Sequence, residues 1–82
     1  MKLIDDEFIK AMADVMREGA DRPGRVLNGW RDLEWTVETE KLYYAKLIGH
    51  AAQAMRPCDL NHLAAAACNA LIIWYHRRIK EG

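Results

Sequence analysis

The segment His62-Leu63-Ala64-Ala65-Ala66-Ala67-Cys68-Asn69-Ala70-Leu71-Ile72-Ile73-Trp74-Tyr75-His76 constrains this chain most. It is apolar nearly all round, yet it carries His62, Asn69 and His76 at intervals of seven residues. Seven residues are almost two α-helical turns, so the three polar groups fall close to one line, roughly 21 Å long at about 1.5 Å per residue. The alanine run favours helix and lets a neighbouring helix approach closely. The reading is a helix buried on most sides, with one polar seam. The seam needs partners, because a buried amide or imidazole without one costs about 1–3 kcal/mol.

Eighty-two residues make a single domain, 1–82, with room for only a modest core. Hydrophobic residues are 51% of the chain, and three are Trp. That is more apolar surface than a three-helix protomer easily hides, so self-association is expected. Twelve Lys and Arg balance twelve Asp and Glu, which argues against nucleic-acid binding through bulk charge. Cys58 and Cys68 belong to no Cys-x-x-Cys pair and are poor disulfide partners, so both read as free thiols in a reducing compartment. No leader and no uninterrupted apolar run of about 18 residues is seen. The expected setting is therefore cytoplasmic, away from membranes.

Local signals divide the chain into three helices. Asp5 or Asp6 opens the first, which runs to Glu18 with Gly19 as its stop; Ile4, Phe8, Met12, Val15 and Met16 form its apolar face. Residues 20–35 carry Pro23, Gly24 and Asn28-Gly29, yet also Val26, Leu27, Trp30, Leu33 and Trp35, which suits an ordered loop packed on the helices. Thr36 caps a second helix from Val37 to about Arg56, ended by Pro57. Val37, Tyr44, Ile48, Ala51, Ala52 and Met55 mark one buried face of it, and Tyr43, Leu47 and Ala54 a second. Asp59 caps a third helix, Leu60 to about Ile79, with Arg77, Arg78 and Lys80 at its negative end. The expected fold is all-α: a three-helix protomer that assembles as a homo-oligomeric helical bundle.

Three groups of residues could carry chemistry. Arg22, Arg25 and Arg31, with Asn28 and Trp30 among them, would suit a phosphate-and-base clamp, because the guanidinium fork matches phosphate oxygens and an indole offers a stacking face. Alternatively they are solvated loop charges. His50, His62 and Asn69 would form a polar wall, with Tyr43 as a further ring; alternatively they are helix-to-helix hydrogen bonds. A histidine metal site is poorly supported, since His50 and His62 could meet but no third ligand is evident. Glu34, Glu38, Glu40 and Asp59 are the candidates for magnesium, which needs carboxylates converging from more than one segment. There is no serine in the chain, and no phosphate-loop or dinucleotide fingerprint.

His62-Leu63-Ala64 followed by Cys68-Asn69-Ala70-Leu71 resembles the hallmark segment of a small phage-associated family, the dATP/dGTP diphosphohydrolase N-terminal domains. Gly19-Ala20, Asn28-Gly29-Trp30, Tyr43-Tyr44 and His50 follow the same family order, so the resemblance spans roughly residues 8 to 76. It implies an all-α nucleotide-handling protein, similar in outline to MazG-type pyrophosphatases that hold magnesium on helix carboxylates. Several positions depart from the family pattern. Gly49 stands where the family has Arg, Ala65 where it has a second His, and Arg56-Pro57-Cys58-Asp59 replaces a longer acidic turn. The departures fall on groups that would hold metal and meet phosphate. The resemblance therefore implies a small phage or prophage protein that binds a nucleotide-type ligand without turnover and without a cofactor. One such role is anti-defence: sequestering a nucleotide immune signal made by the host. The alternatives are a magnesium-dependent deoxynucleoside triphosphate pyrophosphohydrolase and a structural helical module with no ligand.

Overall fold

A computed structural model describes residues 4–20, 29–56 and 60–81. These residues form three α-helices and one short 3₁₀ turn: α1 (Asp6–Ala20), the turn Gly29–Asp32, α2 (Val37–Ala54) and α3 (Leu60–Glu81). No strand occurs among the described residues. No helix among them is long and apolar enough to cross a membrane.

The helix starts are set by local chemistry. Asp5 Oδ1 accepts from the backbone amides of Glu7 (2.8 Å) and Phe8 (3.2 Å), which makes Asp5 the cap of α1. Thr36 adopts an extended backbone and its hydroxyl accepts from the Thr39 amide at 3.1 Å. Thr39 in turn donates its own hydroxyl to the Glu34 carbonyl, tying the incoming chain to the first turn of α2. Gly19 does not end α1, which continues through Ala20. Asp59, expected to cap α3, lies outside the described residues.

α3 is the spine. It packs against α2 along much of its length, against α1 on another side, and against the 3₁₀ turn near its C-terminal end. Every buried residue among those described lies on it: Ala64, Ala65, Cys68, Asn69, Ile72, Ile73 and His76. The spacing, with steps of three and four, is that of one helix face. Cys68 reaches across to α1, its Sγ 3.3 Å from the Met12 carbonyl. Burial pushes the Cys68 thiol up to about 11, because removing water penalises the thiolate.

Two expectations need correction. α3 is buried on one face rather than on most sides, since Leu60, Leu63, Leu71 and Trp74 are exposed on the other. The first apolar face assigned to α2 is also open: Val37, Tyr44, Ile48, Ala51, Ala52 and Met55 are all exposed. α2 instead turns Tyr43, Leu47 and Ala54, its second apolar face, inward, where each is half-buried. The reason is geometric. A helix beside one neighbour covers only about a third of its circumference, and among the described elements α2 packs mainly on α3.

Candidate functional site

The seam residues do lie along the inner side of α3, but each is differently engaged. At the C-terminal end, the His76 imidazole lies flat on Trp35, with ring centroids 4.3 Å apart and planes 4° from parallel. His76 Nε2 sits 2.7 Å from the Trp30 carbonyl. A carbonyl can only accept, so this nitrogen carries the proton. In the middle, Asn69 Nδ2 donates to the Ala65 carbonyl one turn back, at 3.0 Å. At the N-terminal end, His62 Nδ1 lies 3.0 Å from Nδ1 of His50 on α2, the rings tilted by 30°. One of these two nitrogens is protonated and donates to the other. The His50–His62 pair and His76 are thus about 21 Å apart along α3 and do not form one wall.

The C-terminal end of α3 gathers most of the rings. Trp30 meets Tyr75 edge-on at 5.1 Å, and Tyr75 meets His76 edge-on at 5.2 Å. Trp35 packs at a tilt on Tyr43, 5.3 Å between centroids, and the Lys46 ammonium lies 4.6 Å over the Tyr43 ring. Guanidinium groups lie over the rings at the rim. Arg31 is 5.1 Å from the Trp30 centroid and 5.8 Å from that of Tyr75. Arg78 lies 5.2 Å over Trp74, and Arg77 lies 5.9 Å over Tyr44. Such pairings contribute about 0.5–1 kcal/mol each at exposed sites and hold the guanidinium in a fixed orientation. A shallow groove open to solvent runs here, lined by Trp74, Arg77, Arg78 and Glu81.

Glu40 is committed elsewhere. Its two carboxylate oxygens take Arg77 Nε and Nη2, both at 3.0 Å, and Oε1 also accepts from the Trp35 indole at 3.2 Å. The Arg77 hydrogen bonds, followed by that of Trp35, hold the Glu40 carboxyl below the ordinary carboxylate range. Glu34 and Glu38 are exposed, and Asp59 lies outside the described residues. Among the described residues, no three His, Cys, Asp or Glu side chains come close enough to share a metal ion.

Of the residues singled out for a ligand, Trp30, Arg31 and Tyr43 stand at the ring-rich end, while His50 and His62 stand at the opposite end. Asn69 is buried between them. Arg22, Arg25 and Asn28, the rest of the expected clamp, lie outside the described residues. Sequence reasoning did not select Trp74, Tyr75, Arg77 and Arg78 as a group. Their signal was present as two rings followed within three residues by two arginines on the last turns of a helix. Trp30 Nε1 is a buried side-chain donor with no hydrogen-bond partner among the described residues. No protein-family model, curated protein or solved structure matches this chain.

Proposed function

We propose that this protein binds a phosphorylated, nucleotide-type ligand without turning it over, at the C-terminal end of α3, and that it works as a homo-oligomer in the cytoplasm. The observation that carries this reading is an open groove in which Arg78 lies over Trp74, with Arg31 over Trp30 and Tyr75 at the same end of α3; Arg77 also lines the groove but is paired with Glu40. Phosphate oxygens call for guanidinium donors, and a base calls for a flat apolar face; both are offered within two helical turns. The Trp30 indole N–H, unpartnered among the described residues, supports the same reading, since an acceptor reaching it would recover about 1–3 kcal/mol. Arg22 and Arg25 precede this end in the chain and would add phosphate contacts. Sequestration of a nucleotide immune signal is the role this chemistry would serve in a small phage protein.

The hydrolase alternative draws less support. Glu40 is occupied by Arg77 and Trp35, and Glu34 and Glu38 are solvent-facing. A ligand-free helical module is the second reading, and one observation favours it: Asn69 and His76 spend hydrogen bonds on backbone carbonyls rather than on a cleft.

The test is thermal stability against a panel of mono-, di-, tri- and cyclic nucleotides, followed by chromatography of the released ligand. A ligand present at 100 times its Kd stabilises by about 2.7 kcal/mol. We expect one class to do so and to be recovered intact with magnesium present. Release of monophosphate would favour the hydrolase, and no shift with any class would favour the module.

A further inference from the structure

We infer that the groove at the end of α3 takes a nucleotide with a singly charged phosphodiester, and that the charges around it turn nucleoside di- and triphosphates away. This rests on the ligand-binding reading above and narrows the class of ligand. Trp74, Arg77, Arg78 and Glu81 line the groove. They stand at steps of three, one and three residues along α3, so they share one stripe of the helix. Trp74 is 56% exposed, which leaves indole surface for a base to stack on beside the Arg78 guanidinium.

The charge balance of the groove decides how much anion it can hold. Arg77 is already engaged: its Nε and Nη2 hold the two oxygens of Glu40, both at 3.0 Å. Such a two-pronged pair leaves little attraction for a further anion. Glu40 is the main group that keeps Arg77 charged, and Glu81 adds a smaller share, so the Glu81 carboxylate is within electrostatic reach of Arg77. Arg78 makes no ion pair among the described residues, and its guanidinium lies 5.2 Å over Trp74. Arg78 is therefore the cation of the groove that a ligand can use, and Glu81 is the anion it must face. Counted with Glu40, two positive groups meet two negative ones. Two further cations stand nearby without lining the groove: Arg31 covers Trp30 and Tyr75, and Lys80 acts on Glu40.

A balanced groove suits a ligand of low charge that also brings hydrogen-bond donors. One guanidinium matches the single negative charge of a phosphodiester. A terminal phosphate carries about −1.5 to −2 at neutral pH, and each added phosphoryl group increases the surplus. That surplus would meet the Glu81 carboxylate instead of a second cation. Sites for polyphosphates gather several cations or a metal ion around the phosphates, and this groove offers one uncommitted guanidinium. Glu81 has a use toward the rest of the ligand, because a carboxylate accepts from the amine of a base or the hydroxyl of a ribose.

Titration calorimetry with cyclic AMP, AMP, ADP and ATP, and with the matching guanine series, keeps the base fixed while charge rises. Divalent metal is left out so that it does not mask the phosphates. The cyclic diester should bind tightest and the triphosphate at least about tenfold more weakly. Glu81→Gln should narrow that ratio by removing the repelling carboxylate, and Glu40→Gln should narrow it by releasing Arg77, each with its helical circular dichroism retained. A linear dinucleoside monophosphate run beside the cyclic nucleotide shows whether the diester comes from a cyclic nucleotide or from an oligonucleotide. A mono-, di- or triphosphate that binds as tightly as the diesters overturns the inference and leaves the groove standing as a ligand site. An unchanged ratio in either Gln variant overturns it as well. Absence of binding by every member of both series overturns the inference together with the reading on which it rests.

Discussion

His76 stacks on Trp35 at 4.3 Å while its Nε2 donates to the Trp30 carbonyl at 2.7 Å, so one buried imidazole joins α3 to both ends of the segment that leads into α2. Removing it would leave a buried carbonyl unpaired and one face of an indole bare. His76→Ala should lower stability by about 2–4 kcal/mol, read from urea unfolding. A loss below about 0.5 kcal/mol would mean that the ring is not buried in this way.

The His50–His62 contact joins α2 to α3 near their connection, at 3.0 Å between half-buried rings. His50→Ala and His62→Ala should each cost about 1 kcal/mol, and the double variant should cost less than their sum by roughly the worth of one hydrogen bond. Strict additivity in a double-mutant cycle would show that the two rings do not interact.

Gly49 sits inside α2 with open space around the position a Cβ would take. Glycine there gives the unfolded chain freedom and the helix nothing. Gly49→Ala should therefore raise stability by about 0.5–1 kcal/mol, seen as a higher melting temperature. Destabilisation would indicate a close neighbour at that point.

Acid should loosen the tie between the two helices at their charged end. The Glu40 carboxyl is held below its ordinary range by Arg77 and Trp35, so its contribution is present at neutral pH and is lost as pH falls through that lowered range. The pair is solvent-exposed, which keeps the effect small. Glu40→Gln should flatten the fall in melting temperature between about pH 5 and pH 3. An unchanged acid profile would remove Glu40 as a source of the pH dependence.

Cys68 provides a probe of the core. Its thiol is raised to about 11, so the folded state favours the neutral form; this stabilisation holds below the ordinary thiol range and fades as pH climbs toward that value. In a Cys58→Ser background, alkylation at about pH 8 should be slow and should accelerate sharply once urea unfolds the chain. Rapid labelling of the folded protein would contradict a buried Cys68.

What the sequence disclosed, and what it withheld, follows from which signals are local. Asp5 and Thr36 act on amides two or three residues away, so their helix starts were readable without any knowledge of packing. The alignment of His62, Asn69 and His76 needed only helix geometry, and the approach of His50 to His62 followed from an antiparallel hairpin. The rotation of α2 was not readable. Its two apolar faces, one through Ile48 and one through Leu47, have similar composition, and only the number and position of neighbours decides which turns inward. The ring cluster was only partly legible for a similar reason: His76 is more than forty residues from Trp30 and Trp35, and nothing local says that its imidazole will stack on one indole and meet the backbone of the other.

Isothermal titration of the assembled protein with nucleotides of differing phosphate number, beside an Arg31→Ala, Arg78→Ala variant, bears hardest on the ligand site at the end of α3. We expect saturable binding of one phosphorylated class, ligand recovered intact, and at least a tenfold weaker Kd in the variant with its helical signal preserved. No heat with any nucleotide, or equal affinity in parent and variant, would contradict that site.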